Sequence, residues 1–163
     1  MLKDAEALER IGADDVTALT QRATDATFYR DDLRPDEIEA NHRVVRICAD
    51  TALGAVANDH QFFAAAFVDG SFAGYVISTI HAPDSRELDW LMVDPAFHGS
   101  GVADLLMQAG VDWLGRDRPM WLNVLQHNHR AIGFYNRQGF EVDPDARTEH
   151  LIPHFVMRRP ADA

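Results

Sequence analysis

Residues 88–114 read LDWLMVDPAFHGSGVADLLMQAGVDWL. The run at 88–93 is short and mostly apolar, and Asp94-Pro95 stops it. His98-Gly99-Ser100-Gly101 then turns directly into a stretch whose apolar positions, Val102, Leu105, Leu106, Ala109 and Trp113, share one helical face. The reading is therefore strand, glycine loop, amphipathic helix. Two glycines let backbone N–H groups converge with no Cβ in the way, and a helix start adds about half a positive charge. A di-anionic phosphate group asks for that combination. The same loop also serves as an ordinary strand–helix turn, so the rest of the chain has to decide between the two.

The stretch 121–125, WLNVL, predicts a second buried strand, followed by NHRAIGFYNRQGFE at 128–141. Asn128 is an N-cap residue type and Gly139 a C′ stop, which predicts a helix over 128–138. Ala131, Phe134 and Tyr135 share one face of it, which sets the phenol beside the core. Together the two segments resemble the GCN5-related N-acetyltransferase (GNAT) family. Its phosphate-loop pattern, Arg/Gln-x-x-Gly-x-Gly/Ala, is filled by residues 98–103. Its downstream pattern, Val-x-x-x-Asn-x-x-Ala-x-x-Phe/Leu-Tyr-x-x-x-Gly-Phe, is filled from Val124 to Phe140 without a gap. One departure is His98, which stands where the family usually has Arg or Gln.

The resemblance implies one N-acetyltransferase domain over residues 1–163. It implies a mixed α/β fold of the α+β type, the acyl-CoA N-acyltransferase fold, with a mostly antiparallel central sheet flanked by helices. The activity it implies is transfer of an acetyl group from acetyl-CoA to a primary amine, by direct attack within a ternary complex and without a metal. The alternative is a non-catalytic acyl-CoA-binding or sensing domain of the same fold. A nucleotide-binding domain of another kind fits poorly, because the loop lacks a P-loop lysine and follows antiparallel hairpins.

Composition agrees with a folded enzyme-sized domain. Of 163 residues, 47% are apolar, enough for a substantial core. A net charge of −11 disfavours nucleic-acid phosphates as partners and favours cationic small molecules or basic peptide ends. The lone Cys48 excludes an internal disulfide. No stretch is long and apolar enough for a membrane span, and MLKDAEALER lacks a leader's apolar region, so the expected setting is cytoplasmic. Homodimers are frequent in the family, which makes a homodimer the expected oligomer if there is one.

Along the chain, residues 5–11 read as a weak first strand and 15–26 as a helix. Pro35 opens a second helical region running to about residue 58, with Ile38, Val45, Cys48 and Ala52 inward and a break expected near 50–54. Runs 61–68 and 71–80 form a hairpin about Asp69-Gly70. A loop at 81–86 leads to the strand before the glycine loop, and 140–143 and 153–158 are the last strands.

Glu87 is the first candidate for the base that deprotonates the amine, since a glutamate holds the matching place in the histone-acetylating branch of the family. Strand alternation puts Glu87, Asp89, Leu91 and Val93 on one face, making Asp89 the second candidate. The alternative is that both carboxylates are simply solvated at the strand's outer end. Tyr135 occupies the family's general-acid position near the thiol sulfur. The backbone of Leu91, Met92 and Val93 would pair with the pantetheine arm as an added strand, and Asn128 would contact the same arm. His98, Gly99, Ser100, Gly101, Val102 and Ala103 would hold the pyrophosphate, His98 through its ring or its backbone. Asp31, Asp32, Asp36 and Glu37 cluster where the family forms the acceptor side of its groove, and Asp31 and Asp32 are the candidates for holding a cationic acceptor. The pairs His127/His129 and His150/His154 come with no matching ligand cluster, so no metal site is expected.

Overall fold

The computed structural model describes residues 2–162. Its elements, in chain order, are β1 (Leu2–Lys3), α1 (Asp4–Arg10), α2 (Ala13–Thr27), α3 (Pro35–Val56), β2 (Gln61–Val68), β3 (Ser71–Ala82) and β4 (Ser85–Val93), then a 3₁₀ turn (Pro95–Phe97), α4 (Val102–Leu114), β5 (Met120–Leu125), α5 (His129–Arg137), β6 (Glu141–Val142) and β7 (His154–Arg159). The seven strands form one sheet in the order β1-β2-β3-β4-β5-β7-β6. Every neighbouring pair is antiparallel except β4 and β5.

Two cores lie on opposite faces of the sheet. One packs Phe63, Tyr75 and Ile77 against α1, α2 and α3. The other packs Val76, Leu88 and Leu122 against Leu106, Met107 and Leu114 of α4, with α5 alongside. Helix α4 approaches β3 closely at Gly110, where a Cβ would come within 2.8 Å of the Ser78 hydroxyl. The hairpin at Asp69-Gly70 forms as its sequence predicts, with φ of 49° and 81° at the two positions.

Three local expectations are corrected. Residues 4–10 are a helix rather than a strand, because Ala, Glu, Leu and Arg favour helix and the inward Ala7, Leu8 and Ile11 follow the i, i+1, i+4 spacing of a helical face, whereas a strand would send the adjacent Ala7 and Leu8 to opposite sides. Helix α3 runs unbroken through residues 50–54. Gly54 has nothing within 4 Å of the place a Cβ would take, and its weak helix propensity is outweighed by Val45, Cys48, Ala52 and Ala55 burying along one stripe. The expected 81–86 loop shrinks to a two-residue turn at Pro83-Asp84, since Ala82 already pairs with Ser85.

The fourth correction matters most for the site. Ile77 pairs with Trp90 and Ser78 with Leu88, so Asp89 is an extra residue, a β-bulge, in β4. Plain alternation therefore fails across it. Glu87, opposite Thr79, shares a sheet face with Trp90 and Met92, whereas Leu91 and Val93 pack on the α4 face.

Candidate active site

Strands β4 and β5 meet in register at Glu87 and Trp121 and nowhere further along. Beyond that point β5 is committed to β7 over Met120–Leu125, and β4 has been bent by its bulge. The two strands diverge into a groove of about 570 Å³. Leu91, Met92 and Val93 stand on one wall, and Asn123, Val124 and Leu125 on the other.

At one end of the groove lies the glycine loop. Gly99 and Gly101 have φ of 81° and 86°, which only glycine adopts freely, and a Cβ on either would meet nothing within 4 Å. The N–H groups of His98 and Ser100 are used within the loop. Those of Gly99, Gly101, Val102 and Ala103 have no protein acceptor among the described residues. The loop thus offers open space and unpaired donors at the N-terminus of a 13-residue helix, which fits a pyrophosphate.

Asp94 anchors the loop. Its carboxylate accepts from Ala96 N–H at 3.0 Å and from Arg22 of α2 at 2.6–2.7 Å. Burial works to raise the Asp94 carboxyl, but these donors outweigh it and hold it below the usual carboxylate range.

His98 has a partner that its sequence context hides. Arg130, in the first turn of α5, lies 2.6 Å from His98 Nδ1. A guanidinium can only donate, so Nδ1 accepts and the ring proton sits on Nε2. Burial, and then the Arg130 charge, push His98 below its ordinary pKa, against the pull of Asp94 and of the ring's hydrogen bond to the Val93 carbonyl. The fixed positive charge beside the loop belongs to Arg130.

Tyr135 lies half-buried on α5 with its ring edge-on to Phe134 and Phe140, at centroid distances of 5.5 and 6.2 Å. Asn128 caps that helix by accepting from Ala131 N–H at 3.1 Å, and both residues line the groove. Burial pushes the Tyr135 phenol up to about 12, so it keeps its proton at neutral pH. Among the described residues its hydroxyl has no hydrogen-bond partner.

Glu87 is 7% exposed and lines the groove. Its Oε2 lies 2.6 Å from His81 Nε2, and its Oε1 accepts from Asn123 Nδ2 at 3.4 Å. Burial and the neighbouring Asp89 push its pKa up to about 7, against the pull of His81 and Asn123. Asp89 accepts from the Thr79 hydroxyl at 3.3 Å. The surrounding protein raises the Asp89 carboxyl too, although its side chain opens to the groove, where water tempers the effect.

The acidic residues before α3 are not part of this groove. Asp32 pairs with Arg30 at 3.1 Å and Asp36 with Arg34 at 3.2 Å, while Glu37 turns inward to accept the Arg34 N–H at 2.9 Å as a helix cap. Asp31 and Asp32 are exposed and absent from the lining. The acceptor side is built instead from Phe28, Asn41 and Val44 of the α2–α3 layer, Trp90 and Met92 of β4, and the segment around Leu151. There the His150 and His154 rings pack at a tilt with centroids 4.1 Å apart, and the His154 ring lies 2.6 Å from the Ile152 carbonyl through Nδ1. Burial pushes His154 down to about 4, so its Nδ1–H donates to that carbonyl.

Sequence reasoning missed Arg130, Asn123 and His81. Arg130 did carry a signal, because a cation in the first turn of a helix opposes the helix dipole. Asn123 was also legible as a lone amide inside an otherwise apolar strand.

A split between parallel neighbours in an otherwise antiparallel sheet, with a helix N-terminus at its mouth, defines the acyl-CoA N-acyltransferase class. The chain belongs to the acetyltransferase (GNAT) family, whose sequence model matches residues 18–140. It is 30% identical over 149 residues to streptothricin acetyltransferase of Streptomyces lavendulae, covering 84% of this chain and 76% of that one. It is 37% identical over 99 residues to an uncharacterized N-acetyltransferase of Mycobacterium tuberculosis. That match covers 56% of this chain and spans only 62% of the mycobacterial protein's length. The fold is shared with PaiA N-acetyltransferase of Thermoplasma acidophilum, solved in complex with coenzyme A, at TM-score 0.75 and 18% identity over 98% of this chain and 99% of that one.

Proposed function

We propose that this protein transfers an acetyl group from acetyl-CoA to a cationic primary amine, by direct attack with both substrates held in the groove. The observation that carries the reading is one cleft lined by a carboxyl group near pKa 7, a protonated phenol and a loop of unpaired N–H donors. In this reading Glu87 takes the ammonium proton, and Asp89 adds negative charge that draws the cation in. The freed amine attacks the thioester carbonyl, and Tyr135 protonates the departing thiolate. Leu91–Val93 backbone and Asn128 hold the pantetheine arm, while the 99–103 loop and Arg130 hold the phosphates, with the His98 ring tied between Arg130 and the Val93 carbonyl at the loop's edge. Orientation of the two substrates supplies much of the acceleration.

The acceptor is read from the groove rather than from Asp31 and Asp32. Two carboxylates at the floor and apolar walls from Phe28, Val44, Trp90 and Met92 suit a small amine with an apolar body. The streptothricin acetyltransferase likeness is consistent with a small-molecule acceptor. The test is release of free CoA thiol from acetyl-CoA with a panel of aromatic and aliphatic monoamines, polyamines, amino sugars and peptides with free N-terminal amines, at low and high salt. Turnover should favour cationic amines and weaken at high salt. Tight acetyl-CoA binding with no turnover on any amine would overturn the catalytic reading in favour of an acyl-CoA-binding domain.

A further inference from the structure

His81 stands apart from the groove yet touches its most perturbed carboxyl. Ile80 pairs with Arg86 and Ala82 with Ser85, so His81 is the extra residue of a second bulge, this one in β3. One hairpin therefore carries two bulges, His81 on one strand and Asp89 on the other. Bulges re-aim side chains. Here the His81 ring is turned onto Glu87, 2.6 Å away, and stacked on the Trp121 indole at 5.8 Å. Trp121 in turn donates its indole N–H to Ser85 at 3.3 Å, which fixes the stack from behind. The His81 side chain is 46% exposed and does not line the groove, whereas the Glu87 side chain is 10% exposed and does.

We propose that His81 is a positioning residue for Glu87: it binds Oε2 from outside the groove, fixes the carboxylate's aim at the incoming amine, and holds it ionised. The inference rests on Glu87 acting as the base. Two influences disfavour the ionised form, burial and the like charge of Asp89. Asn123 opposes them only with a long amide contact from β5. His150 and His154 line the same groove, but among the described groups His81 supplies the one short contact and the one countercharge that act directly on Glu87. The ring at 2.6 Å compensates the carboxylate's charge as it forms, and its far edge stays open to water while substrates fill the groove. Through this contact, the pH at which Glu87 can accept a proton depends on His81.

The decisive experiment follows the Glu87 carboxyl by NMR in ¹³C-glutamate-labelled protein across pH, in the parent, His81→Gln and His81→Phe, with Glu87→Gln giving the assignment. Gln keeps a donor without the charge, and Phe keeps the stack on Trp121 without either. Loss of the countercharge should move the Glu87 titration to higher pH by about one unit, more in Phe than in Gln. In parallel, the acidic limb of kcat/KM for acetylation of a panel amine should move by the same amount. At high pH the variants' rates should approach the parent's without reaching them, because the carboxylate's aim is lost with the contact, and KM for acetyl-CoA should not change. An unmoved Glu87 titration in both variants would overturn the proposal. If Glu87→Gln leaves the acidic limb in place, the base assignment itself is wrong and the proposal falls with it. If Glu87→Gln abolishes the limb but both His81 variants keep it where it was, only the role of His81 is refuted.

Discussion

Replacing Gly101 with valine separates binding from folding. The position has φ of 86°, and a Cβ there meets no protein atom within 4 Å. The folded state thus meets no clash and bears the backbone penalty of an L-residue at positive φ, about 1–2 kcal/mol for an ordinary side chain and more for a β-branched one. A domain of ordinary stability, about 5–15 kcal/mol, survives that loss. On the phosphate assignment the ligand does not fare as well, because a phosphate oxygen reaching the N–H groups of Gly101, Val102 and Ala103 would take the open space beside Gly101. Hydrogen bonds to a charged group contribute about 1.5–3 kcal/mol each. Losing two weakens CoA binding by about 3–6 kcal/mol, roughly 10²- to 10⁴-fold. Calorimetry of CoA binding measures this directly, with thermal unfolding reporting the fold. Gly74→Ala is the converse control, since its Cβ would come within 2.6 Å of the Met92 carbonyl oxygen, so the fold itself should suffer. A folded Gly101→Val protein with CoA affinity within twofold of the parent refutes the phosphate assignment.

Tyr135→Phe should retain CoA affinity and lower kcat by about 10²-fold, the usual loss for a general acid; unchanged single-turnover rates would remove that role. Arg130→Ala should weaken CoA binding and flatten its salt dependence, and it should let His98 titrate at higher pH, because the Arg130 charge helps hold it down. An NMR titration of the His98 ring that does not move would break the proposed link between the two. Asp94→Asn should lower the melting temperature at neutral pH by removing the charged partner of Arg22. Because the folded carboxyl lies below its ordinary value, this stabilisation is present above the unfolded pKa of about 4 and is lost as pH falls through the folded one. The melting temperatures of parent and variant should therefore converge in acid, and a gap that persists there would count against the ion pair as the cause.

What the chain declares locally was legible. The Asp69-Gly70 hairpin, the Asn128 cap and the glycine loop each follow from residue types that set backbone geometry, and the structure has all three. The first helix was misread because seven residues are too few for periodicity to outvote a short apolar run. Arg130 and Asn123 escaped because their relevance arises only when distant strands and helices meet, and His81, six residues from Glu87 on one hairpin, escaped because 81–86 read as a loop. His98 and Arg130 are 32 positions apart in sequence, and Asn123 and Glu87 are 36 apart. Asp31 and Asp32 show the reverse case: they look like a site in one dimension, but both are exposed outside the groove's lining, and Arg30 pairs with Asp32.

The bulge at Asp89 has no sequence signature of its own, yet it sets both halves of the site. Without it, strict alternation would carry the Glu87 side of β4 through to Leu91 and Val93, directing apolar side chains toward the α2–α3 layer and Trp90 toward α4. With it, Trp90 and Met92 join Glu87 on the acceptor face, while Leu91 and Val93 seal against α4. The same kink turns β4 away from β5 after their single matched pair, leaving strand backbone facing a groove instead of a neighbour. That exposed edge is the feature an extended, amide-bearing ligand arm can complete. In this reading one extra residue both opens the cofactor cleft and sorts the carboxyl groups to the acceptor side.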